Sequence, residues 1–430
     1  MDSDFDDVAN QDVWSDSKDD SKKNDSDSDD EILVQHMQMA GLMLMQQAIR
    51  RRDKIRICYL EWKQVQNDRP LSGAAMITNQ LQGHPHRCYA NYRMSTDVFN
   101  TLCNELRSKG LQCNGDVIIE EQVGMLLELL GHATKLRKIA EYFQHSLETV
   151  WRCIHNVLDY VVKLSSHYIK QPKSNTPRHS KLADGTQYGL FKDAIGAIDG
   201  THIPAFPNKN DKTKERFRNR KGEFTQNVLA AVDFDGKFLA VVAGWEGSAH
   251  DNTVLRSAVQ ERLLRVPSGK YYLVDAGYAN SSQFLAPYRR VCYHLGTFRD
   301  RARSQGEYRY DTPQELFNHR HAQLRNVVEK TFGVVKNRFH ILKDMSQFNF
   351  DTQIQIVGAC CTLHNFIKHH DASDEMFRVP QGMDGSQHNG VGDDDNSHEE
   401  QQQEIVTDLP SGTNLREHIK DALWQMRQNR

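Results

Sequence analysis

Eight cysteines are spread along the 430 residues with no C-x-x-C pair and no spacing that reads as a disulfide framework. This excludes a small stapled secreted scaffold and fits a reducing compartment. No apolar run approaches the roughly eighteen residues that cross a bilayer. The N-terminus opens on acids, where a secretory leader would be basic and then apolar. A soluble intracellular protein without a membrane partner is expected. A Gly-rich phosphate-cradling loop and a G-x-S-x-G elbow are also missing, so ATP use and serine hydrolysis lack support.

A large net charge of either sign is missing, the value being −3, but the average hides a division. Residues 1–31 hold thirteen acids and three bases, and residues 371–404 hold ten acids and one base. Setting both aside leaves 57−13−10 = 34 acids against 54−3−1 = 50 bases, a body of +16. A body that basic favours a polyanion such as DNA, because neutralising phosphates releases counterions.

The pattern along the chain predicts seven segments. Residues 1–31 are too polar to bury anything and read as a disordered tail. Residues 32–83 are helical and then linking, with a basic run, Ile49-Arg-Arg-Arg-Asp-Lys-Ile-Arg56. That run reads as solvated helix charge ahead of a nuclear import signal. Residues 84–170 are helical. Their last pieces, 119–132, 136–144 and 148–164, suggest a helix-turn-helix whose final helix offers Trp151, Arg152, His155 and Asn156, with an ordinary bundle as the rival. Residues 171–188 form a polar linker. Over 189–370 the period changes to strands at 194–206, 227–234 and 237–245, the last two joined at Asp235-Gly236. A helix over 248–265, a strand over 270–278 and helices over 313–342 and 352–369 follow. Residues 371–410 are acidic and of low complexity, and 411–430 end in a helix.

Three acids occupy places that need explaining. Asp199 interrupts the apolar first strand, Asp275 ends the apolar run Tyr271-Tyr-Leu-Val-Asp275, and Glu329 lies at the edge of the stripe Leu324, Val328, Phe332 on the long helix. An unpaired carboxylate in a buried strand costs several kcal/mol, roughly 2–7 even for a neutral polar group, so a partner, a metal or catalysis is expected. The order strand–strand–strand–helix–strand–helix is that of an α/β ribonuclease H-like domain, a mixed sheet flanked by helices, here behind an all-α helix-turn-helix-like domain. In that order the first and fourth strands are neighbours, so the three acids can meet. Converging carboxylates suit hard divalent cations, and two such ions serve phosphodiester cleavage. Asp251 follows Ser248 in an S-x-x-D pattern, which reads better as helix capping.

The segments Gly196-Ala-Ile-Asp-Gly-Thr-His-Ile203, Arg218-Asn-Arg-Lys-Gly222, Gly244-Trp-Glu-Gly-Ser-Ala-His-Asp251, Val274-Asp-Ala-Gly-Tyr278 and Arg325-Asn-Val-Val-Glu-Lys-Thr-Phe-Gly333 carry a family likeness. So does Ala359-Cys-Cys-Thr-Leu-His-Asn-Phe366. Over roughly residues 88–369 the chain resembles the PIF/Harbinger superfamily of DDE transposases and the host genes derived from them. The resemblance implies a divalent-metal DNA endonuclease with catalytic Asp199, Asp275 and Glu329, a metal set that adds Asp251, and Mg²⁺ or Mn²⁺ as the ion. It also implies strand transfer, a nuclear location with shuttling from the cytoplasm, and a separately encoded Myb-like DNA-binding partner. The five tryptophans do not recur at a Myb-repeat spacing. A homo-oligomer remains open. The alternative is a domesticated nuclear protein that binds DNA or chromatin partners without cutting.

Arg218, Arg220 and Lys221, in the basic stretch 209–221, are candidates for DNA phosphates, as is Arg152. Cys360, Cys361, His364, His369 and His370 suggest zinc at a glance, but the surrounding Ile354, Val357, Leu363 and Phe366 favour a packed amphipathic helix.

Overall fold

The computed structural model describes residues 26–61, 69–207, 214–291, 298, 310–378 and 409–429. Lys209 and Lys212 of the basic stretch, residues 1–25 of the acidic tail and residues 379–408 lie outside them. The chain divides into two units, 1–68 and 69–430. The described part of the first is a single helix, α1 (Ser26–Glu61), which begins within the acidic stretch.

The second unit opens with α2 (Gly73–Gln82), α3 (Pro85–Tyr92), α4 (Thr96–Ser108), α5 (Ile119–His132), α6 (Leu136–Phe143) and α7 (Leu147–Tyr168). Ser72, Ser95 and Ser146 cap α2, α4 and α7 by accepting the N–H of Ala75, Val98 and Thr149. Such a cap satisfies one donor that the first helical turn leaves orphaned, worth about 1 kcal/mol. Along α7 the stripe Val150, Ile154, Val157, Leu158 and Val161 is buried, the 3.6-residue spacing of a core-facing helix.

The chain then forms β1 (Ala194–Pro204), β2 (Thr225–Val232), β3 (Phe238–Glu246), α8 (Asp251–Gln260), β4 (Tyr271–Leu273), β5 (Phe284–Leu285), α9 (Pro313–Arg338), α10 (Phe350–His370) and α11 (Pro410–Gln428). The sheet order is β3-β2-β1-β4-β5. β1 pairs antiparallel with β2 and parallel with β4, β2 pairs antiparallel with β3, and β4 parallel with β5. The result is a mixed five-stranded sheet among many helices. Both faces are covered, which is why every residue of β2 is buried. Val228, Ala230 and Val232 join the larger core with α9 and α10, while Leu229 and Ala231 join a smaller one with Val254 and Leu255 of α8. On α9, Leu324, Val328, Phe332 and Val335 are buried. At about 1.5–3 kcal/mol per large apolar side chain, this stripe fixes the helix against the sheet. α10 lies on β3 and on α7, with Cys360 and Cys361 inside the core.

Several expected boundaries move. The strand expected over 270–278 pairs only over Tyr271–Leu273, because the chain turns at Asp275, whose carbonyl accepts the N–H of Tyr278 at 3.1 Å. The helix expected over 248–265 runs Asp251–Gln260, and its cap is His250, whose ring accepts the Asn252 N–H. The capping pair Ser248 and Asp251 is therefore wrong. α9 stops at Arg338 and a tight turn, His340–Leu342, follows. The short β5 went unanticipated.

Candidate active site

Side chains alternate along a strand, so Asp199 projects from β1 on the side of Ala197, toward the core that α9 covers. Asp275 stands just past the end of β4, the parallel neighbour of β1. Glu329 rides on α9, four residues after Arg325. The Arg325 guanidinium is where the three meet. Its Nη1 donates to Asp199 Oδ2 at 2.9 Å, and its Nη2 donates to Glu329 and lies 3.8 Å from Asp275 Oδ1. Arg325 is 14% exposed, against 20% for Asp199, 33% for Asp275 and 48% for Glu329. The site is thus a buried cation ringed by acids that open progressively to solvent.

Asp251 approaches from α8, on the Gly200 face of β1, near enough for its charge to act on Asp199. A Cβ built on Gly200 would stand 2.7 Å from Asp251 Oδ1, so glycine after Asp199 admits the second carboxylate. Asn227 Nδ2 donates to that oxygen at 2.7 Å and to the Ala249 carbonyl at 3.1 Å, which orients Asp251. The carboxylate that sequence alone assigned to capping is held against β1 at Gly200 by Asn227.

Electrostatics follow from this crowding. Burial pushes the Asp199 carboxyl up to about 7; Arg325 opposes the rise, while Glu329, Asp275 and Asp251 add to it. Burial works against the Arg325 charge, but Asp199, Glu329 and Asp275 outweigh it and hold the guanidinium above its ordinary range. Burial, then the charges of Asp251, Asp199 and Asp275, raise the Tyr278 hydroxyl well above its usual value. His321 is driven down to about 4 by burial, against its bond to the Leu285 carbonyl at 2.8 Å.

With all three carboxylates ionised, above the raised Asp199 value, they and the one guanidinium sum to −3+1 = −2. That residual charge, in a ring of hard oxygen donors, suits a divalent ion. Asp275 Oδ1 and Asn227 Oδ1 are buried without a hydrogen-bond partner, acceptors with capacity to spare. The donor chemistry therefore fits Mg²⁺ or Mn²⁺. As the side chains stand, no group of three His, Cys, Asp or Glu among the described residues is close enough to hold an ion, since the acids meet the guanidinium first.

Asp251 lines a cavity of about 410 Å³ together with Gly200, Thr201, Arg220, Lys221 and Lys336 among others, while Asp199, Asp275 and Glu329 do not line it. Lys336 Nζ donates to Thr201 Oγ1 at 2.7 Å and the His202 carbonyl at 2.9 Å, and burial pushes it down to about 8. Arg220 and Lys221 thus share a cavity with Asp251. Arg218 is occupied in shaping the loop, donating to Glu215 at 3.0 Å and to the Gly222 carbonyl at 2.7 Å. Arg152 is exposed on α7 and does not line the cavity. Beside it, Trp151 stacks on His155 at 4.0 Å between ring centroids, and Asn156 faces Gln122.

Arg325, Lys336, Asn227 and Tyr278 were absent from the residues picked out of the sequence as functional. Arg325 and Lys336 could have been found four residues before and seven after Glu329, both on its helix face. Asn227 follows Thr225 and Gln226 at the polar end of a wholly buried strand, so it lacks the isolation in an apolar run that flagged Asp199.

A family model described as DDE superfamily endonuclease matches residues 198–365, a span holding Asp199, Asp251, Asp275 and Glu329. A second model, a domain of unknown function, matches residues 68–163. Among curated proteins, "Protein ALP1-like" of Arabidopsis thaliana is 23% identical over 300 residues, 64% of this chain and 69% of that protein. "Putative nuclease HARBI1" of Homo sapiens is 29% identical over 227 residues, 51% of this chain and 58% of that protein. The Bos taurus protein of the same name is 29% identical over 226 residues, again 51% and 58%. The chain therefore matches well under two thirds of the length of these mammalian relatives. No solved structure matches it.

Proposed function

Because this chain belongs to the DDE superfamily endonucleases of the PIF/Harbinger type, we propose that it is a divalent-metal-dependent nuclease that cleaves DNA phosphodiesters at Asp199, Asp275 and Glu329. The observation that carries this reading is the meeting of three carboxylates, 76 and 54 residues apart in sequence (275−199 and 329−275), around one buried guanidinium. The strand order and mixed pairing support a ribonuclease H-like reading of the sheet.

Asp199, Asp275 and Glu329, with Asp251, would hold Mg²⁺ or Mn²⁺. When bound, such ions supply Lewis acidity toward the phosphate and a nucleophilic water at neutral pH. The chain's own groups do the rest. Arg325 keeps the acids gathered, and Asn227 aims Asp251. Arg220 and Lys221, with Arg218 and Arg152, are assigned to DNA phosphates, α6 and α7 to a helix-turn-helix that presents Arg152. The same site acting with a freed 3′-hydroxyl would give strand transfer. A DNA substrate implies work in the nucleus, and a Myb-like partner chain would supply sequence recognition that no tryptophan repeat supplies here.

The test is nicking of supercoiled DNA with and without Mg²⁺, comparing wild type with Asp199→Asn. Metal-dependent nicking by wild type alone is expected. Equal nicking by both proteins would discard the site, and DNA binding without nicking by wild type would favour the non-cutting reading.

A further inference from the structure

α1 spans 36 residues, about 54 Å at 1.5 Å per residue. From Ile32 to Cys58 every residue is exposed, including Met37 at 69%, Leu44 at 66% and Ile55 at 70%. Twelve of the nineteen exposed large apolar side chains among the described residues lie on this one helix. An apolar helix in water is stable only against a partner.

Its sequence says what the partner is. Acids occupy positions 27, 29, 30 and 31, bases occupy 50, 51, 52, 54 and 56, and an apolar span separates them. The helix macrodipole favours acids at the start and bases in the last turn. It does not explain this distribution, because the last turn of α1 holds no base. The pattern is a mirror about the bond between residues 40 and 41. Ile32, Gln35, Met39, Leu42, Gln46 and Ile49 recur at spacings of 3, 4, 3, 4 and 3, the seam of a coiled coil. Reversed, the seam matches itself: Ile32 meets Ile49, Gln35 meets Gln46, Met39 meets Leu42. The same reversal sets positions 29–31 beside positions 52–50, acid against base.

We propose that α1 is a self-association element: two copies of this chain pair antiparallel along Ile32–Ile49, the acidic end of each helix against the basic end of the other. A parallel pair would set acid on acid and base on base, which the charge pattern disfavours. This inference stands apart from the nuclease reading and would survive its failure.

The experiment uses the full chain with exposed Cys58 and Cys113 replaced by Ser, carrying either Ile32→Cys or Ile49→Cys. The two positions are 17 residues apart, about 26 Å along the helix. Mixed and oxidised, the two proteins should form a disulfide dimer absent from the parent, and each alone should form little. Strong cross-linking of each variant with itself would mean a parallel pair and overturn the proposal. In sedimentation, wild type should be a dimer at tens of micromolar. Met39→Asp with Leu42→Asp should weaken it at least tenfold, and Arg50→Glu, Arg51→Glu, Arg52→Glu should do so more in low salt than in high. A monomer throughout, or a dimer indifferent to both sets, would also overturn it. An unchanged urea midpoint for residues 69–430 checks that the variants still fold.

Discussion

Two arginines of α9, thirteen residues apart (338−325), each bury a guanidinium against carboxylates, and they do opposite things. Arg338 and Asp374 are both 0% exposed and form a closed pair. Nη1 donates to Asp374 Oδ2 at 3.1 Å and to the Arg93 carbonyl, Tyr89 donates to Asp374 Oδ1 at 3.1 Å, and the Phe377 ring lies 4.9 Å from the guanidinium. One cation meets one anion, and the pair ties the end of α9 to the helical region. Arg325 instead serves three acids, so that carboxylates outnumber the cation, and leaves Asp275 Oδ1 without a donor. A pair that balances locks the fold. A cluster that does not balance is held ready for another cation.

Breaking the balanced pair should cost most. Asp374→Asn leaves a buried guanidinium uncompensated and should lower unfolding free energy by about 3–5 kcal/mol, measured by urea denaturation. Nicking per folded molecule should hold. Asp199→Asn should invert this outcome. Activity should fall at least about 100-fold, beyond what loss of an outer-shell metal partner costs, with stability no lower than wild type, since a crowded buried charge is removed. If Asp199→Asn instead unfolds the protein while Asp374→Asn does not, the two arginines have been assigned the wrong way round.

The acids of the open cluster were legible in the sequence and the arginines were not, for a physical reason. Asp199 and Asp275 stood out because a charge inside an apolar strand violates the pattern around it. The succession of elements followed from strand and helix periods and the Asp235-Gly236 turn, where Gly236 takes φ +79°; the neighbouring of the first and fourth strands came from the likeness to a ribonuclease H-like order. What escaped were pairings that depend on three-dimensional approach. Nothing local says that Arg325 faces Asp199, 126 residues away, or that Arg338 would meet Asp374. Asp251 was misjudged for the same reason. S-x-x-D is a local signal, and the contact with Gly200 that outweighs it is not.

Cation binding sharpens the comparison next. A ligand that binds only the folded protein stabilises it by about 2.7 kcal/mol at a hundred times its Kd. Mg²⁺ should raise the melting temperature of wild type by a few degrees, and of Asp374→Asn by as much from its lower start. Asp199→Asn and Asp275→Asn should show little rise. An equal rise in all four would place the ion elsewhere. Smaller still is the effect of the basic rim. Arg220→Ala with Lys221→Ala should weaken DNA binding about tenfold near 0.1 M salt and flatten the log–log salt slope by about 2, leaving melting temperatures alone.

The smallest expected effect is a cancellation. Asp199 is pushed up to about 7, so the folded protein holds a proton that the unfolded chain has lost above about 4. Its contribution to stability is present at low pH and is lost as pH rises through 7. His321, driven down to about 4, has the opposite sign: the unfolded chain gains a proton below about 6.5, so stability is lost as pH falls toward 4. Between pH 4 and 6.5 the two slopes oppose each other, and wild type should show little net dependence from this pair. His321→Gln, whose amide can still donate to the Leu285 carbonyl, should uncover the Asp199 slope, with stability relative to wild type falling as pH rises across that window. Asp199→Asn should uncover the reverse. Each difference should be on the order of 1 kcal/mol across the window, because Asp199 is 20% exposed and solvent screens part of its shift. Differences from wild type, taken by urea denaturation without metal at pH 4.5 and 6.5, remove the other titrating groups. If both variants track wild type in parallel, then neither group is perturbed in the folded protein, and the acids around Arg325 are no more crowded than an ordinary surface cluster.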